Sequence, residues 1–191
     1  MEADKIKATI KLAARELFRR YGYKKTSVND IAKRAKLAKA TIYKYFESKE
    51  MVLHAILMDY IQDSVDELLA KYNKHADLET YLGDTILRIS RLTYTICNEF
   101  LGWDFIREST NTQEYLKTLS DDLELLLISS FINNTDIHKK VETEKLHFLI
   151  KASKSIVFSF AFTSASESDV RKNFVSFQKE ILPHLIRAAV S

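Results

Sequence analysis

Four residues decide most of what this 191-residue chain can fold into: three glycines, Gly22, Gly83 and Gly102, and one proline, Pro183. Glycine and proline are the residues that interrupt helices, and their near absence leaves long uninterrupted helices as the expected outcome. The same scarcity excludes chemistry. Phosphate-cradling loops of the GxGxxG and GxxxxGK[ST] types need closely spaced glycines so that backbone amides can reach the phosphates, and the nearest pair here, Gly83 and Gly102, lies 19 residues apart. One cysteine, Cys97, excludes an intramolecular disulfide and any CxxC site, which fits a reducing, cytoplasmic setting. No apolar run reaches the ~18 residues of a membrane span, and the first 25 residues alternate charges where a secretory signal needs an apolar stretch. A cytoplasmic protein without a membrane partner is expected.

Charge is unevenly placed along the chain. Residues 1–50 hold 14 Lys and Arg against 6 Asp and Glu, whereas residues 51–191 hold 15 against 20. A basic head on an acidic body is the footprint of a polyanion binder, because each phosphate neutralised by Lys or Arg releases condensed counterions. A solvated charged face explains the imbalance equally well until the geometry of the head is considered.

Apolar periodicity outlines the head. Ile6, Ile10, Ala13 and Leu17, flanked by Ala14, Phe18 and Tyr21, form the stripe of a first helix from about Asp4 to Tyr21, and Gly22 is placed to end it. Tyr23, Lys24, Lys25 and Thr26 read as a short polar connection. Ser27 with Asp30 three residues later is a helix-start signature, followed by the short stripe Val28, Ile31, Ala32 and Ala35. A third helix of about Lys39 to Tyr45 follows, and Ser48 caps a fourth running from Lys49 to about Tyr72. Further helices are expected at about 78–96, 98–108, 112–131, 142–164 and 167–189, separated by Ser, Thr, Asn and Asp clusters. The chain therefore reads as all-α with nine helices. Phe158, Phe160 and Phe162 alternate like a strand, but as a helix Phe158 and Phe162 share a face and Phe160 points away from it.

Residues 26–46 have the dimensions of a helix-turn-helix: a short helix to Ala35, a turn over Lys36, Leu37 and Ala38, and a second short helix. In that second helix Ile42 and Phe46 share one side, while Lys39, Thr41, Tyr43, Lys44 and Tyr45 point elsewhere. An apolar anchor with donors left exposed, on a helix too short to stand alone, suits contact with double-stranded DNA.

These residues carry a resemblance. Ala14 to Phe18, Gly22 to Ala32, and Thr41 through Phe46 to Lys49 resemble, in order and spacing, the DNA-binding domain of the TetR family of bacterial transcription regulators, over about residues 5–57. The resemblance implies a DNA-binding head at 1–47 and an effector-binding and dimerisation body at 48–191. It places Lys39, Ala40 and Thr41 where bases or adjacent phosphates are read, and Tyr43, Lys44 and Tyr45 where the backbone is gripped or thymine methyls are touched. Thr26 and Ser27 fall where hydroxyls and amides meet DNA, and Lys49 where a phosphate is reached from a helix start; helix N-termini attract anions on independent grounds. Two positions depart from the family pattern. Lys36 stands where glycine is usual, and a left-handed conformation there would cost about 1–2 kcal/mol, unless its charge is kept for the DNA backbone. Ala38 stands where a capping serine is usual, a loss of about 0.5–2 kcal/mol.

In the body, Val170, Phe174, Phe177 and Ile181 repeat at helical spacing beside a second stripe of Val175, Leu182 and Ile186, and Phe148, Lys151, Ser155, Phe158 and Phe162 line the preceding helix. One stripe needs a partner, and a four-helix bundle between two copies would cover it, setting two recognition helices about 34 Å apart. Pro183 is expected to kink or loosen the last turns. Tyr81, Tyr94, Phe100, Trp103, Phe105 and Tyr115 concentrate aromatic surface where the resemblance implies an effector site, either ordinary core or the wall of a pocket for a small, mostly apolar effector. No cofactor is expected, and catalysis is not: Glu144 and His147 make one Glu-x-x-His pair where di-iron bundles need two. The expected function is that of a homodimeric repressor released from a palindromic operator by its effector. The alternative is a dimeric protein-docking module whose DNA binding is secondary or needs a co-effector.

Overall fold

The computed structural model describes residues 2–70, 77–101, 111–134 and 139–191. Its elements are α1 (Glu2–Tyr21), α2 (Val28–Ala35), α3 (Lys39–Tyr45), α4 (Lys49–Ala70), α5 (Leu78–Leu101), α6 (Asn111–Asn134), α7 (Thr143–Thr163), α8 (Glu167–Ser176) and α9 (Leu182–Val190). A π-helical turn, Phe177–Ile181, joins α8 to α9 without a break, so the described residues form eight helical rods and no strand. The expected break near residue 97 is absent: α5 runs unbroken to Leu101, and residues 102–108 lie outside the described residues. Among the described residues no helix is long and apolar enough to cross a membrane.

Local chemistry sets the helix ends. Gly22 takes φ +84°, the conformation that costs a residue without a Cβ nothing, and its N–H donates to the carbonyl of Phe18 to close α1. Asp77 accepts from the Thr80 amide at 2.9 Å to start α5, and Ser166 accepts from Asp169 at 3.2 Å to start α8.

The chain packs into two compact units. The first comprises residues 1–60 with 96–105 and the second residues 61–95 with 106–191, so α4 contributes to both. In the first unit Ile10, Ala14 and Phe18 of α1, Ile31 of α2, Ile42 of α3 and Val52, Leu53, Ile56 and Leu57 of α4 are buried. Ion pairs tie its rim: Lys11 to Asp59, Arg34 to Glu16 at 2.5 Å and Arg19 to Glu99 at 2.8 Å. Tyr21, expected on the inner stripe of α1, is half exposed instead.

In the second unit α7 packs on α6 and α9. Lys154 of α7, largely buried, donates to Glu124 of α6 at 2.6 Å and to the carbonyl of Ser120 at 3.0 Å, so the charge enters the interior already paired. The alternating phenylalanines near the end of α7 divide as a helix requires. Phe160 is buried, edge-on to Phe174 at 5.2 Å, while Phe162 is 60 % exposed.

The π turn overturns part of the expected interface. Phe174 and Phe177 are buried in their own chain, and so are Leu182, Ile186 and Ala189. The step from Phe177 to Leu182 is five residues, which an α-helix would rotate off the face; in the π turn the Leu182 N–H donates to the Phe177 carbonyl and keeps both residues inward. Phe174 and Phe177 of one stripe and Leu182 and Ile186 of the other thus share one core face, while Val170, Val175 and Ile181 stay accessible. Proline explains the position: it lacks an N–H and its ring clashes with the carbonyl four residues earlier, Lys179, which lies within the turn. The disturbance therefore precedes Pro183, and α9 continues regularly after it.

Candidate nucleic-acid interface

α2 is a helix with both ends satisfied. The Ser27 hydroxyl accepts from the Asp30 amide and the Asp30 carboxylate accepts from the Ser27 amide at 2.9 Å, a reciprocal capping box. The hydrogen bonds from the Ser27 hydroxyl and amide hold the Asp30 carboxyl below its ordinary range. At the other end Lys36 takes φ 56°, ψ 40°, its N–H donating to Lys33 at 3.2 Å while Leu37 N–H donates to Ala32 at 2.9 Å. That is the Schellman pattern, normally closed by glycine. Lys36 is therefore left-handed, and among the described residues no other non-glycine residue has positive φ.

α3 is built differently. Ala38 offers no side-chain cap, and within the helix only Ile42 is buried, with Phe46 buried just beyond its end. Lys39, Ala40, Tyr43 and Lys44 are exposed, and Thr41 and Tyr45 are half-buried. Lys39 lies 5.7 Å over the Tyr43 ring and Lys44 5.8 Å over the Tyr45 ring, so two cations and two rings share the outward surface. With Tyr43 47 % exposed, its ring and hydroxyl are available to a partner. Lys36, also exposed, stands on the turn entering this helix.

Three residues expected at the DNA have other partners. Thr26 is buried, and its hydroxyl donates to the Gly22 carbonyl at 2.9 Å. The Ser27 hydroxyl and amide are engaged by Asp30. The Lys49 ammonium donates to the carbonyls of Tyr23 and Thr26, 2.9 Å each, and lies 4.1 Å from the centre of the Tyr23 ring. Partial burial pushes its pKa down, against the pull of Glu50. Sequence reasoning missed Tyr23, taken for part of a polar connection. It is buried, edge-on to Phe18 at 5.3 Å, and its hydroxyl donates to Glu50 at 2.5 Å. Burial pushes the Glu50 carboxyl up, but the Tyr23 hydrogen bond and its other partners outweigh that and hold it below the usual range. An aromatic residue directly after the glycine that ends a helix was the available signal.

Of the six residues expected in the aromatic effector cluster, Tyr81, Tyr94, Phe100 and Tyr115 fall among the described residues. Phe100 is buried and belongs to the first unit, whereas Tyr94, in the second, packs edge-on against Phe174 at 5.6 Å. Tyr81 and Tyr115 are half-buried, and Trp103 and Phe105 lie outside the described residues. A small cavity of about 30 Å³ opens among α5, α6 and α7, with mostly aliphatic walls from Ile86, Ile89, Leu123, Leu127, Ile150 and Val157. Ser153 lines the same cavity and is buried.

Residues 10–56 match the family model of bacterial regulatory proteins, tetR family. No curated protein matches the chain. Among solved structures, the chain is similar to the TetR family repressor AlkX from a Dietzia strain, implicated in biodegradation of n-alkanes, at 14 % identity and TM-score 0.63, covering 97 % of each chain. RolR in complex with resorcinol is 13 % identical at TM-score 0.61, covering 100 % of this chain and 97 % of that one. FadR from Bacillus subtilis in complex with stearoyl-CoA is 17 % identical at TM-score 0.54, covering 95 % and 98 %. At these identities the structures establish the fold. With a helix-turn-helix assembled from residues 26–46 and that match over 10–56, the chain carries the DNA-binding head of the tetR family of bacterial regulatory proteins.

Proposed function

We propose that this regulator is a homodimeric repressor, with a DNA-binding head at residues 1–47 and an effector-binding and dimerisation body at 48–191, released from a palindromic operator by a mostly apolar small molecule. The observation that carries it is α3, held by Ile42 while Lys39, Tyr43 and Lys44 face outward. In this reading Lys36, Lys39, Ala40, Thr41, Tyr43, Lys44 and Tyr45 form the DNA-contacting surface, and Thr26 and Ser27 shape the turn that presents it. Dimerisation uses the face of α7 that carries Phe148, Lys151, Ser155, Phe158 and Phe162. Phe148 and Phe162 are 51 % and 60 % exposed at heptad spacing about Ser155, and Val170, Val175 and Ile181 keep accessible apolar surface on the following helix and π turn. Neighbours solved with stearoyl-CoA and resorcinol support an effector, and the aliphatic walls between α5, α6 and α7 suit an apolar one, although their cavity of about 30 Å³ must widen to admit anything larger than a water. A coupling of about 1–3 kcal/mol between effector and operator is ordinary for such a switch.

The test is selection of sheared genomic DNA on the full-length protein at about 150 mM salt, where non-specific phosphate contacts are weakened, with Tyr43→Ala as control. An enriched palindrome that the variant fails to retain is expected. No enrichment from a folded dimer would overturn the reading in favour of protein docking. Phe162→Glu is expected to give a monomer by light scattering and to lose the palindrome with it.

A further inference from the structure

Lys49 is the first residue of α4, a helix start where a cation gains nothing from the backbone dipole. Its ammonium nevertheless reaches back 23 and 26 residues to the carbonyls of Thr26 and Tyr23. Those two carbonyls belong to the turn between α1 and α2, which Thr26 also closes through its amide to Tyr23 and its hydroxyl to Gly22. Beside it, Glu50 holds the hydroxyl of the same Tyr23 whose ring lies under the ammonium. Two consecutive residues of α4 thus grip both ends of one side chain and two carbonyls of one turn. Two of the three ammonium donors point inward, which leaves little of the group for a phosphate.

We propose that Lys49 is a positioning residue for DNA recognition: it latches the first turn of α4 to the α1–α2 turn, and so sets the entry of α2 and, through it, the presentation of α3. This rests on the DNA-binding reading above. A latch and a phosphate contact make opposite forecasts, because phosphates are present in every DNA, whereas presentation of α3 matters only where bases are read.

The experiment compares the full-length wild type with Lys49→Met on the best fragment from the genomic selection and on a random duplex of equal length, across a salt series. The latch requires an unchanged slope of log K against log salt and a fall of about tenfold or more in the ratio of specific to random binding. A slope reduced by about 0.9 with the ratio kept would overturn it. If Lys49→Met fails to fold, Lys49→Arg decides. It keeps the charge but carries a wider planar head in place of one nitrogen serving both carbonyls, so a lost ratio supports the latch and wild-type behaviour overturns it. Reductive methylation of the DNA-free protein, read by mass spectrometry, separates the two layers. Lys49 must react several-fold more slowly than Lys39; equal rates overturn the latch. Absence of any DNA binding by the wild type would sink the DNA-binding reading instead.

Discussion

α2 and α3 are neighbours of eight and seven residues, both far below the ~12–15 residues an isolated helix needs in water, and they solve that problem in opposite ways. α2 turns its polar groups on itself, with a capping box at its start, a Schellman turn at its end, and Ile31 and Ala32 in the core. α3 has no side-chain cap and one buried residue, and keeps its lysines and tyrosines outward. A helix that satisfies its own ends is a frame, and one that leaves them open is shaped to be completed by something else. The difference can be tested by moving each helix toward the other's design.

The largest effect is expected at the single anchor of α3. Ile42→Ala removes a side chain that is 1 % exposed, and truncating a buried isoleucine costs about 2–5 kcal/mol. With one anchor to lose, α3 should detach before the remainder unfolds. Amide hydrogen exchange should therefore rise across residues 39–45 while α1 and α4 stay protected; a uniform loss of protection would show that α3 is an integral part of the head's cooperative unit.

Ser27→Ala strips the cap of α2 and should cost about 0.5–2 kcal/mol, read as a lowered Tm. The effect depends on pH. The folded-state pKa of Asp30 is lowered by its bonds to Ser27, so the stability it lends is present above the unfolded value and lost as pH falls through the folded one. The gap in Tm between wild type and variant should accordingly be widest near neutrality and narrow below about pH 4. A gap that stays constant into acid would mean that the hydroxyl bond to the Asp30 amide acts alone.

Lys36→Gly should raise stability. Relief of the left-handed backbone returns about 1–2 kcal/mol, and the larger freedom of glycine in the unfolded chain takes part of that back. The expected gain is about 1 kcal/mol, or about 2–4 °C in Tm for a chain of this length. An unchanged or lower Tm would mean that the turn holds lysine without strain. If Lys36 also touches the DNA backbone, the glycine variant should gain stability yet bind DNA with a shallower salt dependence.

The outline of the head was legible because its signals are local. Ser27 with Asp30, Gly22, and the spacing of Ile31, Ile42 and Phe46 each act within a few residues of the structure they determine. Lys36 could be marked as a strained turn only through the resemblance, which puts glycine at that position. The uses of Lys49 and Tyr23 were not legible, since the carbonyls that hold Lys49 lie 23 and 26 residues away and nothing in its own neighbourhood distinguishes an inward ammonium from an outward one. In the body, reading α8 to α9 at one constant period produced two stripes from Phe174, Phe177, Leu182 and Ile186. A single π turn makes them one face, and Pro183, the visible cause, acts on the turn before it.

The smallest effect asks whether α3 is incomplete for a reason. Ala38 has φ −70° and ψ 146°, the extended geometry of an N-cap, and is exposed, so serine fits without moving the backbone. Ala38→Ser should add up to about 1 kcal/mol through a bond to a free amide of the first turn. Its effect on DNA binding is the sharper readout. If the missing cap merely leaves α3 loose, a better ordered helix reduces the entropy lost on binding, and operator affinity should rise together with Tm. If instead those open amides are completed by DNA phosphates, the serine hydroxyl competes for them, and affinity should fall while Tm still rises. Opposite signs for the two measurements would show that α3 lacks its cap because the operator supplies it.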